Sequence, residues 1–531
     1  MTADDFKGMP VQGAARIHQG ATMGQIYNAA LRARPDVPAI VDDRISLSYA
    51  ALAQLSARIA RLYGARGMGR SDTVAFLVGN RADAVAAMIA AQLAGLRSVS
   101  LHPMASEADH VFVLQEAQAK LLVVDNAAFG ERARTLAQAC GVQLLPLDEG
   151  EFGPSLMRAA AAMDDSEVVV GDDPTEVIKL GFTGGTTGRS KGILHTHRTS
   201  VTMLQYALAT YEWPQRIRYL VTTPISHAAS AMILPTLMRQ GTVYLCNKFS
   251  PADFLRRVAR DRINLAFLVP TQIYGLLDCA ELDAADVSSL ELVLYGAAPI
   301  AQVRLADALR RIGPVFGQLY GQAEAPMCIT YLSRADHDLA HPERLRSCGR
   351  VIFGNQVRLL DKDLQEVAPG EVGELCVRGP LVMEGYLNRP EENEKVFAGG
   401  WLHTGDMARM DSAGYLYLVD RAKDMIISGG FNVYPSEVEN CLAQHPAVAL
   451  SAVIGIPDPK WGEAVVAVVV TQPGASVKQE EIMAYVVREK GVVNAPKQVF
   501  FVTDLPLTAL GKIDRKTLRG QYWSDQSRQI A

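Results

Sequence analysis

Residues Gly181 to Gly192 read Gly-Phe-Thr-Gly-Gly-Thr-Thr-Gly-Arg-Ser-Lys-Gly, and no other stretch restricts the fold as strongly. Val177-Ile178-Lys179-Leu180 before it reads as a short buried strand, and Arg198 to Tyr211 after it has the spacing and length of a helix. A glycine-rich loop leaving a strand can bring backbone N–H groups close to an anion, because no Cβ atoms intervene. Thr183, Thr186 and Thr187 add hydroxyl donors and Lys191 adds a positive charge, a combination suited to a polyphosphate. A flexible surface turn is the plainer alternative. The loop is not a Walker A motif, since Gly192 follows the lysine and Ser190 precedes it, and it contains no G-x-G-x-x-G fingerprint.

A chain of 531 residues is too long for one hydrophobic core, so two or more domains are expected. A net charge of −5 argues against nucleic acid as the main partner. Seven cysteines, odd in number and without a C-x-x-C pair, fit reduced thiols better than a disulfide framework or a zinc site. The acidic start Met-Thr-Ala-Asp-Asp-Phe-Lys lacks the apolar core of a signal peptide. The apolar run Ala84 to Ala91 is too short to span a membrane and reads as a buried helix, so no transmembrane segment and a cytoplasmic location are expected.

Residues 36–140 alternate strand and helix patterns, with strands at 73–78, 98–101 and 120–124 and helices at 81–94 and 107–116. The same rhythm returns near 218–222, 264–269 and 292–295. This βαβα alternation predicts an α/β protein whose large N-terminal domain packs two sheets, mostly parallel. From about residue 345 shorter strands with Gly and Pro turns predict a β-rich subdomain, including 357–361, 373–377 and 415–419. Beyond Arg421 a helix, two strands, a helix and a strand have the size of an independent α+β domain. The expected division is therefore 1–420 and 421–531, with the charged Asp420–Asp424 junction as a hinge or a solvated surface turn.

Several segments fall in a telling order. After the loop come Gly296-Ala-Ala-Pro299, Gln318-Leu-Tyr-Gly-Gln-Ala-Glu324, Gly370-Glu-Val-Gly-Glu374 and Trp401-Leu-His-Thr-Gly-Asp406. Asp420-Arg-Ala-Lys-Asp424, Ser428-Gly-Gly-Phe-Asn-Val-Tyr-Pro435 and Leu505-Pro-Leu-Thr-Ala-Leu-Gly-Lys-Ile-Asp514 follow. In this set the chain resembles the adenylate-forming superfamily of acyl-CoA synthetases, peptide-synthetase adenylation domains and luciferases, over roughly residues 20–520.

The resemblance implies an ATP-, Mg²⁺- and CoA-using ligase of a small-molecule carboxylic acid. Thr183, Gly184, Gly185, Thr186, Thr187, Gly188 and Lys191 would grip the departing phosphates, and Thr183 and Glu324 would hold Mg²⁺, a hard cation that prefers oxygen ligands. Gly296, Ala297 and Ala298 would give adenine or the acyl chain room, Tyr320 would stack on adenine, and Gln318 and Gly321 would complete that wall. Asp406, read as the end of a strand, would accept the ribose hydroxyls with Arg421 nearby. Lys512 would bridge the carboxylate and the α-phosphate, delivered by a mobile C-terminal domain. Gly429 and Gly430 would line the pantetheine tunnel, a strand-end turn being the alternative. His227, Met232, Gly296 and Gln322 would border the acid; His195 and His197 read as residues packing near the loop, not a metal pair.

Two residues depart from the family pattern. Ala323 stands where relatives carry Thr, removing a hydroxyl near the phosphate, and a hydrogen bond to a charged group is worth about 1.5–3 kcal/mol. Ser190 replaces a proline and should loosen the loop. The residues leave open a ligase for a fatty, aromatic or alicyclic acid, an enzyme loading a carrier protein, and a nucleotide-binding relative without catalysis. A homodimer is compatible with any of these.

Overall fold

The computed structural model describes residues 20–182, 190–421, 424–428, 431–459, 461–507 and 513–522. Among these the strands form four sheets, of seven, nine, four and five strands. In the seven-stranded sheet, Thr73–Leu77 pairs in parallel with Arg97–Ser100 on one side and Ala119–Val124 on the other. Val177–Phe182 extends it in parallel, and Gly192–Thr196 and Gly385–Tyr386 close that edge antiparallel. The nine-stranded sheet has a parallel centre that includes Arg218–Val221, Leu265–Leu268, Leu292–Tyr295 and Phe316–Gln322. Its edges, among them Ala325–Leu332, are antiparallel.

The two expected sheets are present, but they are not successive halves of the chain. Pro38–Val41 joins the second sheet beside Thr242–Leu245, where Ala39 and Ile40 are fully buried. Burial of apolar side chains therefore overrides sequence proximity at this edge. The alanine-rich run is the helix Ala82–Leu93, buried on nearly every side. Its small side chains let it pack closely against the neighbouring Tyr49–Ala65 helix and the sheet.

Two adjacent residues at the end of Thr73–Leu77 hold the layers together. Asn80 donates to the carbonyls of Thr223 and Cys246 at 3.0 and 2.8 Å and accepts the Ile225 N–H at 2.9 Å. It thereby joins the first sheet to strand ends of the second. Arg81, 4% exposed, pairs with Asp83, Asp125 and Asp148, which follow three different strands. A buried guanidinium tolerates desolvation only with such partners.

The β-rich subdomain is an antiparallel sheet of Gln356–Leu360, Gly373–Arg378, Leu402–Met410 and Leu416–Arg421. Downstream, Gly462–Thr471 pairs with Val448–Asp458, Ile426–Ser428 and Gln498–Phe501. The helices Pro435–Leu442 and Gln479–Lys490 cover this sheet around a separate core that includes Val438, Leu442, Val465 and Ile482. No helix among the described residues is long and apolar enough to cross a membrane.

Candidate active site

The glycine-rich stretch joins two antiparallel strands: Phe182 faces Gly192 and Gly181 faces Ile193. The helix expected over Arg198–Tyr211 is present as His197–Thr210 with Thr196 as its cap, and the short strand Gly192–Thr196 lies between it and the glycine-rich stretch. Ile193 is wholly buried there, so tertiary burial rewards the extended conformation. The other edge of this strand is taken by residues 384–387. The N–H groups of Glu384 and Leu387 donate to the carbonyls of Leu194 and Gly192 at 3.0 and 2.7 Å. Thr183, Gly184, Gly185, Thr186, Thr187 and Gly188 lie outside the described residues, as do Gly429, Gly430 and Lys512.

Glu324 sits on the turn of the hairpin formed by Phe316–Gln322 and Ala325–Leu332, in which Gln322 pairs with Ala325. The register shifts between Tyr320 and Gln322, and Gly321 is required there: a Cβ would lie 2.3 Å from the Met327 nitrogen and 2.7 Å from the Ala325 oxygen. Two bonds fasten this turn to the loop strand and its neighbour. His195 Nε2 lies 2.8 Å from the Ala323 carbonyl, and the Met383 N–H donates to the Glu324 carbonyl at 2.8 Å. Burial, reinforced by the charge of Lys179, pushes His195 down to about 4, so at neutral pH the ring is uncharged and donates from Nε2. His197, also pushed down to about 4 by burial, accepts the Met23 N–H on Nδ1, so the two histidines serve separate structural contacts.

The Glu324 side chain accepts the Tyr386 hydroxyl at 2.8 Å. Burial first, and the charge of Glu324 second, raise Tyr386 far above the usual phenol range, which keeps it a donor. Lys191 Nζ stands 4.9 Å from the centroid of the same ring and pairs with Glu392 on the Pro390–Val396 helix. Lys191 and Glu324 therefore share one neighbour. Tyr386 and Glu392 carried no spacing signal in the sequence; only pairing of residues 385–386 with the loop strand brings them here.

Among the residues expected to contact nucleotide, Gly296 follows Leu292–Tyr295 where a Cβ would be 2.5 Å from the Leu319 oxygen, and Ala297 is exposed at φ +67°. Both lie at the carboxyl ends of parallel strands, where open α/β sheets bind ligands. Gln318 accepts the Tyr295 hydroxyl at 3.2 Å. Tyr320 donates to Asp406 Oδ2 at 2.6 Å. Asp406 lies in the middle of Leu402–Met410, not at a strand end, with its backbone facing Arg421. Gly405 at φ +70° sets it: the Gly405 N–H donates to Glu374 Oε1 at 2.8 Å, and Glu374 Oε2 meets His403 Nδ1 at 2.8 Å.

Of the residues expected to border the acid, His227 precedes the short helix Ala228–Met232, with Nδ1 2.8 Å from Ser226 Oγ. The His102 ring meets it edge-on at 4.6 Å, a neighbour that sequence reading missed because it belongs to the other sheet. Met232 is 1% exposed and packs in the main core, so it backs this region from beneath.

A glycine- and threonine-rich stretch between two strands, a glutamate on a hairpin turn and a tyrosine–aspartate bond between two sheets are the arrangement of an adenylate-forming enzyme. The AMP-binding enzyme family matches residues 27–387, and the AMP-binding enzyme C-terminal domain matches residues 437–512. The chain belongs to this family. It is 43% identical over 523 residues, 96% of this chain and 91% of the relative, to the medium/long-chain-fatty-acid–CoA ligase FadD8 of Mycobacterium tuberculosis. Feruloyl-CoA synthase of an Amycolatopsis species is 37% identical over 495 residues, 92% of this chain and 97% of that one. Among solved structures, the amide bond synthetase McbA from Marinactinospora thermotolerans superposes with a TM-score of 0.87 at 32% identity, over 94% of this chain and 99% of that one.

Replacing Gly321 tests the hairpin. Gly321→Ala should cost about 1–3 kcal/mol through overpacking against backbone and should raise KM for ATP more than KM for the acid. Denaturant midpoints and initial rates read both; wild-type values in each would contradict the geometry.

Proposed function

We propose that the protein is an ATP-dependent carboxylic acid–CoA ligase acting on a fatty or other apolar acid through an acyl-adenylate. The observation that carries this reading is a chain of contacts: Tyr386 touches both Lys191 and Glu324, His195 holds the turn that carries Glu324, and Tyr320 on the same hairpin donates to Asp406. A carboxylate is a poor electrophile, because its charge repels nucleophiles and its oxygen is a bad leaving group. In the first half-reaction a carboxylate oxygen attacks the α-phosphorus, the bond to the bridging oxygen breaks and pyrophosphate departs. In the second, the CoA sulfur attacks the acyl carbon, its proton is lost and AMP leaves.

On this reading the Thr183–Gly188 loop and Lys191 bind the departing phosphates. Glu324, with a carboxylate oxygen fixed by Tyr386, and Thr183 offer the hard oxygen donors that suit Mg²⁺. When bound, that ion neutralises phosphate charge. Asp406 takes the ribose hydroxyls with Arg421, and Tyr320, anchored through its hydroxyl, presents its ring to adenine beside Gly296, Ala297 and Ala298. Gln318 and Gly321 support that wall, and Gln322 and His227 border the acid. Lys512 supplies the charge that joins the two anions, from a C-terminal unit of residues 421–531 that turns about Asp420–Lys423. After that turn Gly429 and Gly430 line the thiol channel. The reaction is assigned to the cytoplasm, where seven free cysteines are at home.

An aromatic acid is the second reading, favoured by the His102–His227 ring pair, which offers an aromatic wall beside the half-buried Ala228 and Ala231. Release of AMP across fatty acids of graded length and a set of aromatic acids, with and without CoA, decides between them. CoA-dependent release that peaks with an apolar chain is expected; no pyrophosphate from any acid would overturn the ligase reading. Lys512→Ala should lower acid-dependent pyrophosphate release at least about a hundredfold yet still convert supplied acyl-AMP to thioester. Equal loss of both would refute the two-state mechanism.

A further inference from the structure

The assembly around Tyr386 has a consequence for how nucleotide is admitted, and it rests on the reading of Lys191 and Glu324 given above. Lys191 is the last charged residue before the loop strand, and its side chain, 40% exposed, is already engaged by the Glu392 carboxylate and the Tyr386 ring. A phosphate at that ammonium meets Glu392 as a competing anion for the same charge. Glu392 would not be stranded by the exchange, because Arg389, which precedes the same helix, lies 3.9 Å from it, with Glu116 as a further partner of Arg389 at 3.2 Å. Tyr386 stays in place throughout: its N–H and carbonyl are both bonded to Asn393, at 2.6 and 3.0 Å. The same fixed tyrosine carries the hydroxyl that orients Glu324.

We propose that Glu392 and Tyr386 are positioning residues of the nucleotide site: Glu392 holds Lys191 at the loop until phosphate replaces it, and Tyr386 sets the Glu324 carboxylate for a divalent cation. Glu392 is then a competitor of ATP, and its charge weakens nucleotide binding. A carboxylate that competes for a partly exposed lysine lowers the apparent affinity by the fraction of lysine it occupies. For an exposed ion pair that amounts to about two- to fivefold.

Calorimetric titration of the full-length protein with an ATP analogue carrying a methylene bridge between the α- and β-phosphates tests this without turnover. Lys191→Met should weaken binding, Glu392→Gln should tighten it about two- to fivefold, and Glu392→Gln should have no effect on the Lys191→Met background. Tyr386→Phe, which keeps the ring, should weaken binding in Mg²⁺ while leaving binding in chelator unchanged. Weaker binding by Lys191→Met with no change in Glu392→Gln would overturn the competition while leaving the phosphate role of Lys191 intact. Unaltered binding by Lys191→Met would overturn that role and the competition with it. Equal weakening of Tyr386→Phe with and without Mg²⁺ would show Tyr386 to be structural only. Thermal unfolding of each variant confirms that the folded protein is compared.

Discussion

The Gly192–Thr196 strand is hydrogen-bonded along both edges, and the rest of the site takes its position from it. One edge meets the strand that enters the glycine-rich loop, and the other meets residues 384–387. Through His195 the strand also reaches the turn that carries Glu324. Buried backbone donors and acceptors must be paired, and an unmade bond costs more than a made one contributes. None of these four segments can therefore shift alone. Residues more than a hundred positions apart in sequence are held in fixed relation by these bonds.

Charge is arranged with the same economy. The carboxylate of Asp406 and that of Glu324 each accept a tyrosine hydroxyl, from Tyr320 and Tyr386, at 2.6 and 2.8 Å. Burial keeps both phenols protonated, so they orient the carboxylates without neutralising them. His195, held uncharged by its surroundings, adds no positive charge that would compete for phosphate. Preorganised groups of this kind need little rearrangement as charge develops, which is the largest source of rate in many enzymes.

Much of this was legible in the sequence. The central strands carry the continuous apolar runs 74–77, 121–124 and 292–295, the pattern of parallel strands buried on both faces. The alanine-rich helix and the fold of the β-rich subdomain were legible for similar reasons. The loop strand was not, because its five residues, Gly-Ile-Leu-His-Thr, gain their extended form from partners at 177–182 and 385–386. From sequence Asp406, following Thr-Gly, reads as the end of a strand-like segment. In the structure Gly405 takes positive φ inside a continuous strand and turns the carboxylate toward Tyr320. The strand Pro38–Val41, next to the edge, belongs to the second sheet, since short apolar segments do not name their neighbours. Tyr386, Glu392 and His102 reached the site through tertiary pairing alone, and single-residue chemistry gave no hint of them.

The central claim is that the acid is activated by transfer of its own oxygen to the α-phosphate. Supplying a substrate acid labelled with ¹⁸O on both carboxylate oxygens and weighing the products by mass spectrometry tests it directly. One labelled oxygen in AMP and the other retained in the thioester is the predicted result. Label in inorganic phosphate, or AMP without label, would contradict an acyl-adenylate and with it the roles assigned to the loop, Glu324 and Asp406.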